Sequence, residues 1–454
     1  MNKLARIIEY LFYLFLFLLP WQTRLIWRDA SLNGDVWEYG RLSLYGTEIL
    51  FWGIILFFVI WLLLNAKSKK FNYKNFCCPQ NKISHHAYRL IVVFCFLAGL
   101  STIWSLDSAL AYFRWIQFLE AICLVVIILN FNFKFERVVW VLTFSALTQS
   151  LLAIWQFLNQ YIPANKWLGW AEHLSIGQGS IILETIDGRW LRAYGSLPHP
   201  NILGGFLALA IIFLIYLILK KTDTWSRIYV FASLIIITAG LFFTFSRSAW
   251  LALLLFFLGF AFWLGRQKNQ LWQKSFYSAL AVILATLIIL ISLFSGLLLS
   301  RINTQTELEA QSISLRVAYS RQALSLIKND WLLGQGLGNY TLAIYQKYNS
   351  TWPGYYYQPV HNIYLLILAE LGVFGILFFS LILILIFWPV WRRLKSWRDV
   401  LTLKLEKIIL FFSLLVILFI SLFDHYFWTI YFGLMIFWLV LGLNLKNADS
   451  EEAD

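Results

Sequence analysis

Three short stretches carry residue types suited to a phosphate ester. Arg247 stands in Thr244-Phe245-Ser246-Arg247-Ser248-Ala249-Trp250, a polar interruption between two apolar runs that leaves no room for a loop. A guanidinium there is costly unless protein pairs it, an anion binds it, or it snorkels from a turn to the headgroups. Arg192 lies in Arg192-Ala193-Tyr194-Gly195-Ser196-Leu197-Pro198-His199-Pro200-Asn201, directly before another apolar run. Pro200 suits the first position of a helix, and such a start points free N–H groups outward. His361-Asn362 opens a further run two residues after Pro359. A helix N-terminus disfavours an imidazolium, so His361 fits either a general base or a capping residue at the interface. Glu370, nine residues on, lies about 13 Å deeper at about 1.5 Å per residue and should not touch the same substrate atom. It reads as the partner of a buried polar group, as do Glu48 and Glu120.

Some chemistries have no residues to support them. On the side of the chain that carries these stretches there is no carboxylate pair at metal-ligand spacing, no His-x-x-x-His, no cysteine cluster and no Gly-x-Ser-x-Gly elbow. Neither a metal nor a cofactor is therefore expected. Arginines alone can still neutralise a leaving pyrophosphate through bidentate hydrogen bonds.

The elements that must position these residues are membrane spans. The chain is 60% hydrophobic and 13% charged, a balance that one soluble core cannot absorb. Apolar runs near 6–21, 44–64, 88–104, 111–130, 138–160, 201–219, 228–244, 249–264, 276–299, 361–387, 405–423 and 427–444 predict an all-α polytopic membrane bundle of about twelve helices, one membrane domain over residues 1–454. Segments 22–43, 161–200 and 300–360 are long enough to build something between spans. In the largest, Ile313, Val317, Leu324 and Ile327 recur at helical spacing, predicting an amphipathic helix over 311–329. Gly334-Gln335-Gly336-Leu337-Gly338-Asn339 then breaks it, as a helix stop with a flexible turn or as an anion-binding nest. It is no dinucleotide fingerprint, because no strand precedes it.

The net charge of +13 suits cytoplasmic loops of a membrane protein better than a nucleic-acid surface. With the N-terminus inside, the inner segments hold 23 of the 36 cations, which places both termini in the cytoplasm. The inner set is 15 Lys and 8 Arg, whereas the outer is 10 Arg and 3 Lys. Arginine is the better fork for phosphate. Cys77 and Cys78 share a basic loop and Cys95 and Cys123 sit in apolar runs, so no structural disulfide is expected. Lys3 and Arg6 precede a run that ends in Leu19-Pro20-Trp21 without a cleavage site, which reads as a retained first helix. The acidic tail ending in Glu451, Glu452 and Asp454 reads as a solvated end.

The stretch at 244–250, the Arg316-x-x-Tyr319-Ser320-Arg321-Gln322-Ala323-Leu324 segment leading to Leu332-Leu333-Gly334, and the run from His361 to Gly372 together resemble the O-antigen ligase and polymerase superfamily. The resemblance implies a metal-independent, inverting glycosyltransferase of the membrane-embedded C type. It would take a glycan from an undecaprenyl-pyrophosphate carrier on the periplasmic face of the inner membrane and pass it to a lipid A core sugar or to another glycan. The family's essential arginines correspond to Arg247 and Arg316, its essential histidine to His361, and a loop arginine to Arg192. Asn201, Ser246, Arg321 and Asn362 are the accompanying substrate-binding candidates. Some polymerases of the superfamily show Arg-x10-Gly in both outer loops, but here eleven residues separate Arg192 from Gly204 and twelve separate Arg321 from Gly334, which favours a ligase. A transporter of an anionic amphiphile is the competing class, but matching halves with broken helices are absent from the sequence.

Overall fold

The computed structural model describes residues 3–66, 82–185, 188–221, 223–302, 307–395 and 403–449. Cys77, Cys78 and the acidic tail lie outside the described residues. The helices are α1 (Lys3–Leu18), α2 (Gly46–Ala66), α3 (Lys82–Leu100), α4 (Ser108–Asn130), α5 (Phe135–Asn159), α6 (Pro200–Lys220), α7 (Thr224–Thr244), α8 (Arg247–Arg266) and α9 (Gln270–Leu293). They continue with α10 (Ser295–Ile302), α11 (Glu307–Asp330), α12 (Tyr340–Lys347), α13 (Ile363–Lys395), α14 (Leu405–Ile420), α15 (Tyr426–Thr429) and α16 (Tyr431–Asp449).

The fold is an all-α polytopic bundle. Among the described residues nine helices, α2 to α9 and α13, are long and apolar enough to cross a membrane. The other three expected spans are also helices, but α1 and α14 have 16 residues each and the apolar part of α16 is Tyr431–Lys446. These fall short of the roughly 20 residues of a full crossing. Side-chain caps start several helices where the sequence offers them: Asp107 accepts from the Leu110 amide at α4, Asp223 from Ser226 at α7 and Asn269 from Trp272 at α9.

The bundle is built around α6, whose residues from Pro200 to Leu219 are all buried. Its first turn is approached closely on two sides, because a Cβ on Gly204 would stand 2.6 Å from Ser246 Cβ and one on Gly205 1.9 Å from the Tyr426 hydroxyl. Glycine there lets α8 and α15 press against the start of α6. Between α7 and α8, Phe245 takes a left-handed conformation (φ 47°) and Ser246 an extended one, so α8 begins at once with Arg247. No loop intervenes, as the sequence implied.

One end of the bundle is capped. The segments between spans contain antiparallel strand pairs: β1 (Arg24–Arg28) with β4 (Leu42–Tyr45), β2 (Ser31–Leu32) with β3 (Asp35–Val36), β5 (Tyr161–Ile162) with β6 (His173–Leu174), and β7 (Ile182–Thr185) with β8 (Gly188–Leu191). Asn33 and Gly34, both at positive φ, make the tight turn between β2 and β3. Thr23 Oγ1 donates to Trp167 O at 2.6 Å, Asn33 Nδ2 to Ser350 O at 2.7 Å and Trp37 Nε1 to Thr341 Oγ1 at 3.1 Å, so the three capping segments are joined. The helix predicted over 311–329 is α11, but it turns Tyr319, Ala323 and Leu326 inward, whereas Ile313, Val317 and Leu324, on whose spacing the expectation rested, are exposed.

After α11 the glycine-rich turn inserts into a break in α13. Gly372 sits at φ 64°, and a Cβ there would lie 2.1 Å from Leu332 O. The Gln335 and Gly336 amides donate to Ala369 O and Glu370 O, and the Val373 amide donates to Trp331 O, each at 2.9 Å. These amides are spent on backbone carbonyls, which pins the turn as a helix stop. Glu370 accepts from Trp428 Nε1 at 2.9 Å, a polar partner between helices as expected, whereas the partner of Glu120 is the exposed Trp52, whose Nε1 donates to it at 2.5 Å.

Candidate active site

Asn362 and the turn after α14 decide where His361 stands. Asn362 caps α13 by accepting from the Leu365 amide at 3.0 Å, and its Nδ2 donates to Leu422 O at 3.3 Å. The Ile363 amide donates to Ser421 O at 2.9 Å. The start of α13 is thereby tied to residues 421–422, and His361 is brought beside Asp424 and His425. The sequence reading missed that pair.

His361 Nδ1 is buried and faces Asp424 Oδ1 at 3.9 Å, beyond hydrogen-bond length but poised to close to one if the ring is protonated. The His361 ring packs between Tyr319, at 6.0 Å, and His425, at 5.1 Å. Asp424 also accepts from the His425 amide at 2.9 Å and from Asn201 Nδ2 at 3.3 Å. Burial alone would raise the Asp424 carboxyl, yet the facing His361, with His425 and His199, holds it well below the usual carboxylate range. It is therefore an anion, able to orient His361 and to stabilise an imidazolium formed there.

Arg192 reaches the same network from the other side. It is buried and donates through Nε to Thr244 O and through Nη2 to Asn201 Oδ1, both at 2.7 Å. Asn201 thus bridges Arg192 and Asp424. Burial pulls Arg192 down to about 9, with Arg247 and Arg316 acting the same way and Tyr194 and Asp424 opposing. Arg301 in α10 is pulled down to about 8 by burial and by Arg192, Arg247 and Arg316, and Arg316 is lowered by burial against the pull of Asp424. A guanidinium does not lose its proton in a protein. These shifts reflect first the burial of the guanidinium groups and then their mutual repulsion, both of which a bound anion would offset. Arg301, whose Nε donates to Phe245 O at 3.2 Å, is a further residue that the sequence reading did not single out.

A cavity of about 820 Å³ opens over this network. Arg316, His361, Asn201, Asp424 and His425 line it, together with His199, Arg24, Glu38 and Arg41. Of the remaining sequence candidates, Arg192 and Arg247 act on the site through their charge. Ser246 is buried against Gly204, and Asn362 positions its neighbour. Arg321 is exposed on α11, five residues from Arg316 and turned away from the cavity.

No local spacing in the chain marks a metal site, yet His361, Asp424 and His425 bring one ligand atom each within 4.8 Å of one another. The folding of distant segments made the cluster, not any local motif. The chemistry around it suits a cation poorly, because Arg316 faces Asp424 and His425 Nδ1 pairs with Thr429 Oγ1 at 2.8 Å.

Residues 232–380, running from α7 into α13 and containing Arg247, Arg316 and His361, match the model of the family described as O-antigen ligase. No curated protein matches the chain. Over this third of its length the multi-pass chain is similar to the O-antigen ligases, and the match supports the O-antigen ligase superfamily of glycosyltransferase-like membrane enzymes.

Proposed function

We propose that this protein transfers a glycan from undecaprenyl pyrophosphate to an acceptor hydroxyl, acting as an O-antigen ligase whose acceptor is a lipid A core sugar. The observation that carries the reading is that Arg316, from a capping segment, and His361, at the start of a span, line one cavity with Asp424 between them. His361 removes the acceptor's proton through Nε2 while Nδ1 turns to Asp424. The acceptor oxygen bonds to the anomeric carbon as the bond to the pyrophosphate oxygen breaks, and the electron pair leaves with the carrier pyrophosphate. Arg316, Arg192 and Arg247 neutralise the charge that develops on it. A single displacement of this kind inverts the anomeric centre. Arg321 takes no part.

The cap faces the periplasm in this reading, with both termini cytoplasmic and the bundle in the inner membrane. The arginine-rich outer segments and the lysine-rich inner ones support that orientation. A polymerase of the same superfamily is the second reading, disfavoured by the missing Arg-x10-Gly spacing. A transporter of an anionic amphiphile fits less well, since the cavity lies under the cap and not at mid-membrane.

The test is transfer by purified protein from a lipid-linked donor in excess chelator. Undiminished turnover is expected, and activity that vanishes and returns with magnesium or manganese would assign the His361–Asp424–His425 cluster to a metal instead. In cells lacking the protein, full-length glycan stranded on the carrier marks a ligase, whereas surface glycans cut to one repeat unit mark a polymerase.

A further inference from the structure

His199 occupies the Ncap position of α6, and its Nδ1 accepts a hydrogen bond from the Asn201 amide at 3.0 Å. A backbone amide is a permanent donor, so Nδ1 carries no proton and the neutral ring must hold its proton on Nε2. The tautomer is set by the helix start itself. The ring lines the cavity beside Arg316, His361 and Asp424. Burial, with Arg192, His361 and Arg316 acting the same way against Asp424, holds His199 down at about 3, so the ring stays neutral wherever the enzyme works. His361 has a ring nitrogen to accept a proton with, but the acceptor nitrogen of His199 is already occupied. It cannot serve as the base, and what it offers the cavity is one fixed N–H.

Resting on the proposed function, we propose that His199 is a catalytic residue whose Nε2–H donates a hydrogen bond to a non-bridging oxygen of the donor's pyrophosphate, an uncharged contact added to those of the arginines. Buried guanidinium groups already crowd this end of the cavity. A neutral donor aimed at the developing charge stabilises it without adding another cation to the cluster.

The ring therefore has two separable duties, capping α6 through Nδ1 and donating through Nε2. Asn and Ser are strong caps, but neither carries a donor out to the Nε2 position. Gln caps poorly and does carry an N–H that far. Three variants, His199→Asn, His199→Ser and His199→Gln, should be measured for melting temperature and for kcat/KM with undecaprenyl-pyrophosphate-linked glycan. The expected activity order is His, then Gln, then Asn and Ser together, with the last two down about 10- to 100-fold in kcat/KM although their melting temperatures match or exceed that of His199→Gln. Inhibition by undecaprenyl pyrophosphate should weaken in the same order. If both activity and inhibition follow cap quality instead, with Asn equal to the parent and Gln worst, His199 is only a cap and the proposal falls. Failure of the functional reading looks different, because the parental protein itself then transfers no glycan.

Discussion

Two sets of arginines surround the same cavity, with Arg24, Arg41 and Arg316 in its lining and Arg28, Arg192 and Arg247 outside it. On the wall built from residues 22–45, Arg24 pairs with Glu38 at 2.5 Å, Arg41 with Asp29 at 2.6 Å and with Glu38 at 2.9 Å, and Arg28 with Asp107 at the start of α4. At the other wall, Arg192 spends its hydrogen bonds on the neutral oxygens of Thr244 and Asn201, and Arg316 feels Arg247 as well as Asp424. The residue type is the same and its use is opposite. An arginine neutralised by a carboxylate ties a hairpin down, whereas one held by neutral acceptors keeps its field for an anion that arrives later. A carboxylate in direct ion-pair contact separates the structural arginines from the working ones, and position in a cavity does not, since Arg24 and Arg41 line it too.

That contrast predicts unequal costs. The largest loss should follow His361→Ala, about 10²- to 10⁴-fold in transfer rate with donor binding retained. Arg316→Ala should remove about 2 to 4 kcal/mol of transition-state stabilisation, roughly 30- to 1000-fold, and Arg316→Lys should recover little because the fork is gone. Initial rates with a lipid-linked donor, corrected for protein level in the membrane, measure both. A well-expressed Arg316→Ala at the parental rate would erase the distinction between the walls.

Acid should act on the histidine and Asp424 side. Burial holds His199 and His425 down at about 3, and Asp424 lies below its usual range. Each group therefore takes up more protons when the chain unfolds. The stability that the two histidines contribute is fully present above about pH 6.5 and is lost as pH falls toward about 3, whereas that of Asp424 is lost only below about pH 4. The melting temperature should drop by several degrees between about pH 7 and about pH 4, and less steeply in His425→Gln. An equal slope in the two proteins would mean that His425 titrates freely.

Smaller effects belong to the paired wall. Arg28→Ala should cost about 0.5 to 1 kcal/mol of stability and less than about threefold in rate, the usual return of a half-exposed ion pair. Exposed Arg321→Ala should stay within about twofold of the parent, since it meets neither wall. A loss for Arg28→Ala as large as that for Arg316→Ala would show that the hairpin touches substrate.

The spans were legible because each apolar run is longer than any other constraint upon it, and α11 because its apolar residues keep helical spacing. The cap's strands were not, since pairs of two to five residues carry too little alternation to read. Asp424 and His425 interrupt two apolar runs much as Arg247 does, and the reasoning applied to Arg247 would have found them. Their closeness to His361 could not have been read, because it depends on the Asn362 and Ile363 bonds to the turn after α14. Arg192 was placed by its motif, but its bridge through Asn201 needed the packing of α6.

The splice between the glycine-rich turn and the break in α13 also acts as the fulcrum of a lever. Arg316 rides on α11, fourteen residues before its end at Asp330, an arm of about 21 Å at about 1.5 Å per residue. His361 rides on α13, the helix that holds the fulcrum. A tilt of about 3° at the splice would move Arg316 by about 1 Å relative to His361, a displacement that costs about a hundredfold in rate when it falls on reacting groups. A side chain at Gly372, far from the cavity, would therefore be felt as a change in the gap between leaving group and base.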